Sequence, residues 1–357
     1  MASLSPLPLA DLSALESAQV WRALRDAHRW LAELKGLCAY LPNPALLLET
    51  LAIQEAKDSS EIENIITTHD ELYAAHGQSG TPAANEVQNY MAALRTGYEA
   101  VRGSGLIRLE TVLAVQAELE QNRAGLRKLP GTVLKNEATG RVIYEPPQDA
   151  AEVESLMGNL IDYIHADDGL DPLLRMAVVH HQFESIHPFY DGNGRTGRIL
   201  NILLLIREDL LELPLLYLSR YINQNKAAYY ELLQTVREQN RRAEWCLYML
   251  KGVAQTARSE IQLIKALRDL MLDYKHRLRT ELPKLYSQDL LNNLFRHPYT
   301  KIEFIEKELG VSRPTAMKYL DQLTQAGFVE KAKISRSNFY INRPLYHLLT
   351  TIQLPSS

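Results

Sequence analysis

The stretch His187-Pro188-Phe189-Tyr190-Asp191-Gly192-Asn193-Gly194-Arg195-Thr196-Gly197-Arg198, followed directly by Ile199-Leu200-Asn201-Ile202-Leu203-Leu204-Leu205-Ile206, decides the reading of this chain. A polar, glycine-broken loop runs into an apolar segment far shorter than the roughly 18 residues a membrane span takes, which predicts a buried helix. The start of such a helix presents unpaired backbone N–H groups and the positive end of the helix dipole, and glycines let the backbone approach an anion closely. Arg195 and Arg198 lie three apart in the first turn and so share a face, where two guanidinium forks suit a polyphosphate. Asp191 and Asn193 supply hard oxygen ligands of the kind that hold Mg2+ beside phosphates. His187 carries an imidazole whose ordinary pKa of about 6.5 suits a general base. Each element alone also has a plain structural reading, as a turn or a cap. Together they imply attack of an activated hydroxyl on phosphorus, with the phosphoryl charge met by fixed donors.

Outward from that loop, the chain of 357 residues has room for two to three domains. Its 46% hydrophobic and 23% charged content is that of a globular protein and excludes wholesale disorder. A net charge of −4 gives no overall pull toward nucleic acid or anionic lipid, so any such binding must be local. Cys38 and Cys246 are too few for a disulfide framework; they read as small buried hydrophobes in a reducing, cytoplasmic setting. The first twelve residues lack the features of a secretory signal.

Residues 12–103 read as helices with breaks at 41–44, 77–82 and 103–105, and Val87, Tyr90, Met91, Leu94, Tyr98 and Val101 share one helical face. Residues 132–135 and 141–144 are β-prone around a turn at 136–140, which predicts a hairpin within a helical protein. Leu263, Leu267, Leu270 and Tyr274 keep a 4, 3, 4 seam that predicts one helix over 254–277. Beyond it, helices at 289–295, 301–309 and 314–325 and strands at 328–334 and 338–341 have the layout of a winged helix-turn-helix, with Ser312 as N-cap and Pro314 in the first turn. That region carries nine Lys/Arg and six Asp/Glu over 287–350, a weak balance for DNA, and protein contact or dimerisation fits as well.

The loop 187–198 matches at every specified position the signature His-x-Phe-x-Asp/Glu-Gly-Asn-Gly-Arg-x-x-Arg, and the chain resembles the Fic (Fido) family. The hairpin at 129–147 looks like that family's flap, which holds a target segment by strand addition, and Asn225-Lys226-Ala227-Ala228-Tyr229-Tyr230 resembles its stretch near the adenine. The expected fold is therefore mainly α: N-terminal helices over 1–104, a Fic core with its flap over 105–250, a connector over 251–286, and a winged helix over 287–357. The resemblance implies protein adenylylation, in which AMP passes from ATP to a Ser, Thr or Tyr hydroxyl. It casts His187 as base and Asp191 as the Mg2+ ligand. Gly192, Asn193 and Gly194 form the anion hole in this reading, and Arg195 and Arg198 bind the β- and γ-phosphates. Thr196 and Gly197 complete the nucleotide-binding turn, and Asn225 lies near the base. The candidate partners are ATP, a target protein on the flap, the chain itself as substrate or homodimer, and DNA or protein at 287–357, with no membrane.

Upstream, Ser59-Ser60-Glu61-Ile62-Glu63-Asn64 resembles the family's inhibitory pattern Ser/Thr-x-x-x-Glu-Gly/Asn, which implies that Glu63 pairs with Arg198 and keeps the γ-phosphate out. The competing reading is a capping box, because Ser60-x-x-Glu63 is also a helix-start pattern. His180 and His181, adjacent on a helix, point to different faces and read as structural. An autoinhibited adenylyltransferase leads; a DNA-binding regulator with a nucleotide-sensing core and an AMP-removing enzyme are the alternatives.

Overall fold

The protein was analysed as a computed structural model that describes residues 4–8, 13–39, 44–75, 81–135, 139–334 and 337–351. Residues 41–43 of the break expected at 41–44, most of that at 77–82, and residues 136–138 of the hairpin turn lie outside the described residues.

The N-terminal third is helical: α1 (Ala18–Ala39), α2 (Pro44–Ile62), α3 (His69–Ala75), α4 (Pro82–Ser104) and α5 (Leu109–Glu120). α4 shows the local logic. Thr81 caps it by accepting from the Ala84 N–H, Pro82 starts the first turn, and Gly105 ends it in the left-handed region. Its expected apolar face is the one that packs, with Val87, Tyr90, Leu94 and Val101 buried.

The hairpin follows as β1 (Leu134–Lys135) and β2 (Val142–Tyr144), antiparallel, with Leu134 opposite Tyr144. Then come α6 (Ala150–Ile164), α7 (Pro172–Ile186), α8 (Asn193–Arg207), α9 (Leu218–Gln224), α10 (Lys226–Gln239) and α11 (Arg242–Glu281). Every side chain from Ile199 to Ile206 on α8 is buried, because α2, α4, α5 and α7 all pack around it. An all-round apolar helix is stable only at the centre of a bundle, which is where α8 lies.

The connector helix is longer than its seam suggested. α11 runs unbroken for 40 residues, begins inside the core and packs along α1. Gly252 does not interrupt it; a Cβ there would meet the Tyr221 ring at 2.7 Å, so the glycine permits close packing of α9. Its far end enters the C-terminal region, where Tyr274 Oη donates to the Phe328 carbonyl and also bonds Asn342 Oδ1, each at 2.9 Å.

That region comprises α12 (Gln288–Arg296), β3 (Tyr299–Thr300), α13 (Ile302–Leu309), α14 (Arg313–Gln325), β4 (Glu330–Ile334), β5 (Ser337–Ile341) and α15 (Arg343–Thr351). Three helices and a hairpin follow in the expected order. Two elements were not foreseen: β3, two residues long, makes the hairpin a sheet of order β3-β5-β4, and α15 closes the chain over α11. Ser312 stands at the N-cap of α14, but its hydroxyl meets Thr315 Oγ1 at 3.0 Å rather than a backbone N–H. Cys38 and Cys246 are buried free thiols, each pushed up to about 12 by burial. Among the described residues no helix is long and apolar enough to cross a membrane.

Candidate active site

α7 ends at Ile186, with His187 after it in the left-handed region (φ 48°), and α8 starts after Gly192 (φ 78°), so the six residues 187–192 make a tight loop between two buried helices. The Asn193 carboxamide locks this loop. Its Oδ1 accepts from Phe189 N at 2.8 Å and its Nδ2 donates to the Phe189 carbonyl at 2.9 Å. Asn193 is thereby spent on shaping the backbone, which leaves Asp191 as the loop's carboxylate. Asp191 is exposed, and its Oδ1 accepts from Gly192 N at 2.8 Å.

His187 is held from behind. Arg127 Nε donates to its carbonyl at 2.8 Å, Arg127 Nη2 donates to the Ile186 carbonyl at 3.2 Å and to the Pro147 carbonyl, and Arg127 N donates to the Pro188 carbonyl at 2.9 Å. Burial, with Arg237 and Arg127 nearby, pushes the imidazole down to about 4, so it is neutral at pH 7. A neutral imidazole is the form that can accept a proton.

The two arginines of the first turn are both buried and both paired. Arg195 binds Glu86 and, through Nη2 at 2.7 Å, Glu120. Arg198 donates Nη2 to Glu63 Oε1 at 2.7 Å and to the Ser59 carbonyl at 2.9 Å, and Nε to Ser59 Oγ at 2.8 Å. The Glu63 carboxylate lies over the start of α8: a Cβ on Gly194 would stand 2.2 Å from its Oε1. An anionic group thus sits where helix N–H groups and a guanidinium converge, as electrostatics favours.

The segment carrying Glu63 is a helix end, not a helix start. Ser60 lies in the last turn of α2; Ile65 N donates to the Ser60 carbonyl and Asn64 N to the Glu61 carbonyl, each at 3.0 Å. These are the two bonds of a Schellman cap, which requires a left-handed residue after the helix, and Asn64 has φ 62°. The capping-box reading of Ser60 and Glu63 therefore fails, and the Gly/Asn choice at position 64 acquires a backbone reason.

Of the remaining expected residues, Thr196 and Gly197 lie in the first turn of α8, both buried. Asn225 is not in the loop: it sits between α9 and α10 and donates to the Tyr221 carbonyl at 2.9 Å. Its neighbour Lys226 donates to Asn64 Oδ1 at 3.1 Å, so the start of α10 adjoins the Glu63 turn. His180 meets the Gly197 carbonyl at 3.2 Å and the Tyr229 hydroxyl at 2.8 Å, and His181 bonds the Leu233 carbonyl, as structural histidines do. The flap is tied to the loop by Tyr144, whose hydroxyl donates to the Ser185 carbonyl at 2.9 Å, and by Tyr190, whose hydroxyl accepts from Lys128 N and Leu129 N.

Sequence reasoning missed Arg127, Glu86, Glu120 and Glu184. The last is buried beneath Gly197 with Oε1 lacking a partner, and burial pushes it up to about 7. None has a local signature, since each meets a residue 13 to 109 positions away by way of the tertiary fold.

Comparison with known proteins agrees with this geometry. Residues 21–99 match the Fic/DOC family N-terminal domain, residues 106–205 the Fic/DOC family, and residues 270–345 the C-terminal domain of SoFic-like protein adenylyltransferases. The chain belongs to the Fic/DOC family. It is 27% identical over 184 residues to a protein of Aquifex aeolicus named "Probable protein adenylyltransferase", covering 51% of this chain and 56% of that one. It is 35% identical over 63 residues to protein adenylyltransferase fic-1 of Caenorhabditis elegans, covering 17% of this chain and 12% of that one. The chain thus spans little more than half the length of the first relative and far less of the second. In fold it is similar to a Fic family protein from Desulfovibrio desulfuricans G20, with TM-score 0.61, 21% identity, and coverage of 94% of this chain and 97% of the other. It is also similar to Fic-1 of C. elegans, with TM-score 0.54, 21% identity, and coverage of 70% and 73%.

Proposed function

We propose that this chain transfers AMP from ATP to a protein hydroxyl and that Glu63 holds it inactive. The observation that carries the reading is the Glu63 carboxylate on Arg198 above Gly194, which puts the chain's own anion in the place a terminal phosphate needs.

In this reading, neutral His187 takes the proton of the target hydroxyl. The oxygen then forms a bond to the α-phosphorus, the bond to the β-phosphate bridging oxygen breaks, and pyrophosphate leaves with the negative charge. The N–H groups of Gly192, Asn193 and Gly194 receive the phosphate oxygens, helped by the start of α8, and Thr196 and Gly197 continue that turn. Arg195 and Arg198 bind the β- and γ-phosphates once their carboxylates yield. Asp191, an exposed carboxylate beside this cradle, is a hard oxygen donor of the kind that suits Mg2+ and would hold the ion. Bound there, the ion would draw charge from the phosphates. The hairpin, with Val142 and Ile143 exposed on β2 and Leu129 exposed ahead of β1, offers the target a strand to pair with, and Asn225 lies toward the base. The division of labour follows: 1–104 regulatory, 105–250 catalytic, 251–286 connecting and 287–357 a winged helix.

The test is the intact mass of the chain after incubation with ATP and Mg2+. Glu63→Gly should gain AMP units, wild type fewer, and Glu63→Gly/His187→Ala none. Absence of any gain, with added candidate target proteins unmodified as well, would reject the reading.

A further inference from the structure

The helix that carries Glu63 is gripped from its other side by the C-terminal region. α12 packs across α2, and an aromatic cluster joins α3 to the sheet and the last helix. Tyr73 of α3 stacks on Tyr299 of β3 at 5.7 Å, and Tyr346 of α15 closes on both, at 6.3 Å from Tyr73 and 5.8 Å from Tyr299. Tyr299 Oη donates to Asp70 Oδ1 at 2.6 Å, tying β3 to α3 directly.

From this cluster the contacts run to the inhibitory turn by two routes. Through side chains, Gln54 of α2 donates to the Tyr73 hydroxyl at 3.0 Å and accepts from Arg220 at 3.3 Å, and Arg220 Nε bonds Asp58 at 3.1 Å, one residue from Ser59. Through the backbone, α3 begins five residues after Asn64. Its start is a reciprocal capping box in which Glu71 N donates to Thr68 Oγ1 at 3.2 Å and Thr68 N donates to the Glu71 carboxylate at 3.0 Å. A stiff start so close to the Schellman turn lets a displacement of α3 reach Glu63 with little slack. Glu63 itself is the exposed end of the arrangement, its side chain 35% accessible, while the Arg198 side chain is 1% accessible.

We infer that residues 287–351 are a clamp on the brake: docked on α2 and α3 they keep Glu63 on Arg198, and any event that draws them off α3 frees the phosphate cradle. This rests on the transferase reading for its consequence in catalysis, though the mechanical coupling stands apart from it. Such coupling needs an element with two arrangements that both sites bias, and the clamp assigns that part to the turn at 60–65.

Two variants of the full chain test it, neither touching the loop at 187–198. Tyr346→Ala removes one ring of the cluster from a partly exposed position, and Asp70→Lys replaces the acceptor of Tyr299 with a cation in the field of Arg343. Amide hydrogen exchange should accelerate about tenfold or more over residues 60–68 in both, as expected for losing a hydrogen bond to a charged group or its equivalent. Exchange in α13 and α14 should stay as in wild type, showing that the region still folds. AMP incorporation should rise toward that of Glu63→Gly measured in parallel. Unchanged exchange at 60–68 in both variants overturns the clamp. If Glu63→Gly takes up no AMP, the transferase reading fails, and the exchange data still decide the clamp by themselves.

Discussion

Ser59 receives two hydrogen bonds from Arg198, one at its hydroxyl (2.8 Å) and one at its carbonyl (2.9 Å), so the contact that includes Glu63 is a helix end fitted to a guanidinium and not a single ion pair. The carbonyl is one of those left over at the end of α2, and Arg198 satisfies it. Ser59→Ala removes the hydroxyl acceptor and leaves Glu63 in place. A buried hydrogen bond to a charged group is worth about 1.5–3 kcal/mol, so basal AMP incorporation should rise about tenfold or more while staying below that of Glu63→Gly. Incorporation equal to wild type would confine the brake to Glu63 alone.

Asn64 stands in the left-handed region at φ 62°, where a β-branched side chain is strained by about 1–2 kcal/mol. Asn64→Gly should keep both the melting temperature and the low basal activity. Asn64→Val should lower the first and raise the second, because the Schellman turn that aims Glu63 is the element under strain. The two measurements moving together is the signature; a Val variant as tightly inhibited as wild type would separate the turn from the brake.

Arg127 joins the flap to the back of His187, donating to the carbonyls of Ile186, His187 and Pro147. In the Glu63→Gly background, Arg127→Ala should lower AMP incorporation about 100-fold, the scale of loss that follows a misplacement of about 1 Å at a reacting group. Arg127→Lys should recover only part, since a single ammonium cannot reach three carbonyls in one plane. Full activity in Arg127→Ala would make the loop self-supporting through Asn193.

The loop 187–198 and the helix behind it were legible because their chemistry and their order in sequence coincide: anion cradle, arginines and base all fall within twelve residues. The Glu63 contact was legible only through resemblance, since nothing local in Ser59–Asn64 distinguishes a helix end from a capping box until Asn64 is seen at positive φ. Glu86, Glu120 and Glu184 were silent because an isolated glutamate on a helix carries no sign of what it will face. The strand β3 was silent for another reason: two residues have no period, and Tyr299-Thr300 become a strand only by pairing with β5. Residues 254–277 announced a helix through their seam, but the start of α11 at Arg242 did not, as the segment before the seam is buried against the core on more than one side.

Three buried carboxyl groups, Glu55, Glu184 and Glu260, are moved by burial to titrate near neutrality. Burial pushes Glu55 and Glu184 up to about 7 and Glu260 up to about 8. The hydrogen bonds from Ser219 and Tyr90 oppose the shift of Glu55 and Asp58 adds to it; Arg220 opposes that of Glu260, and Glu55 and Asp58 add to it. Glu184 faces Arg198 and Arg237, which oppose, and Glu63, which adds. In the unfolded chain each would titrate at about 4.3. The contribution of these three groups is full below about pH 4.3 and is lost as pH rises through their folded values. Buried His69, His180, His181 and His187, which burial pushes down, act in the opposite sense up to about pH 6.5, so the net fall of stability with rising pH lies between about pH 6.5 and about pH 8. Thermal melts should show Tm several degrees lower at pH 8.5 than at pH 7. Glu260→Gln keeps the shape and removes one titration, so its Tm should depend less steeply on pH, with the gain over wild type appearing only above neutrality. A variant with the wild-type slope would mean that Glu260 is ionised in the folded chain, with Arg220 as its counter-ion.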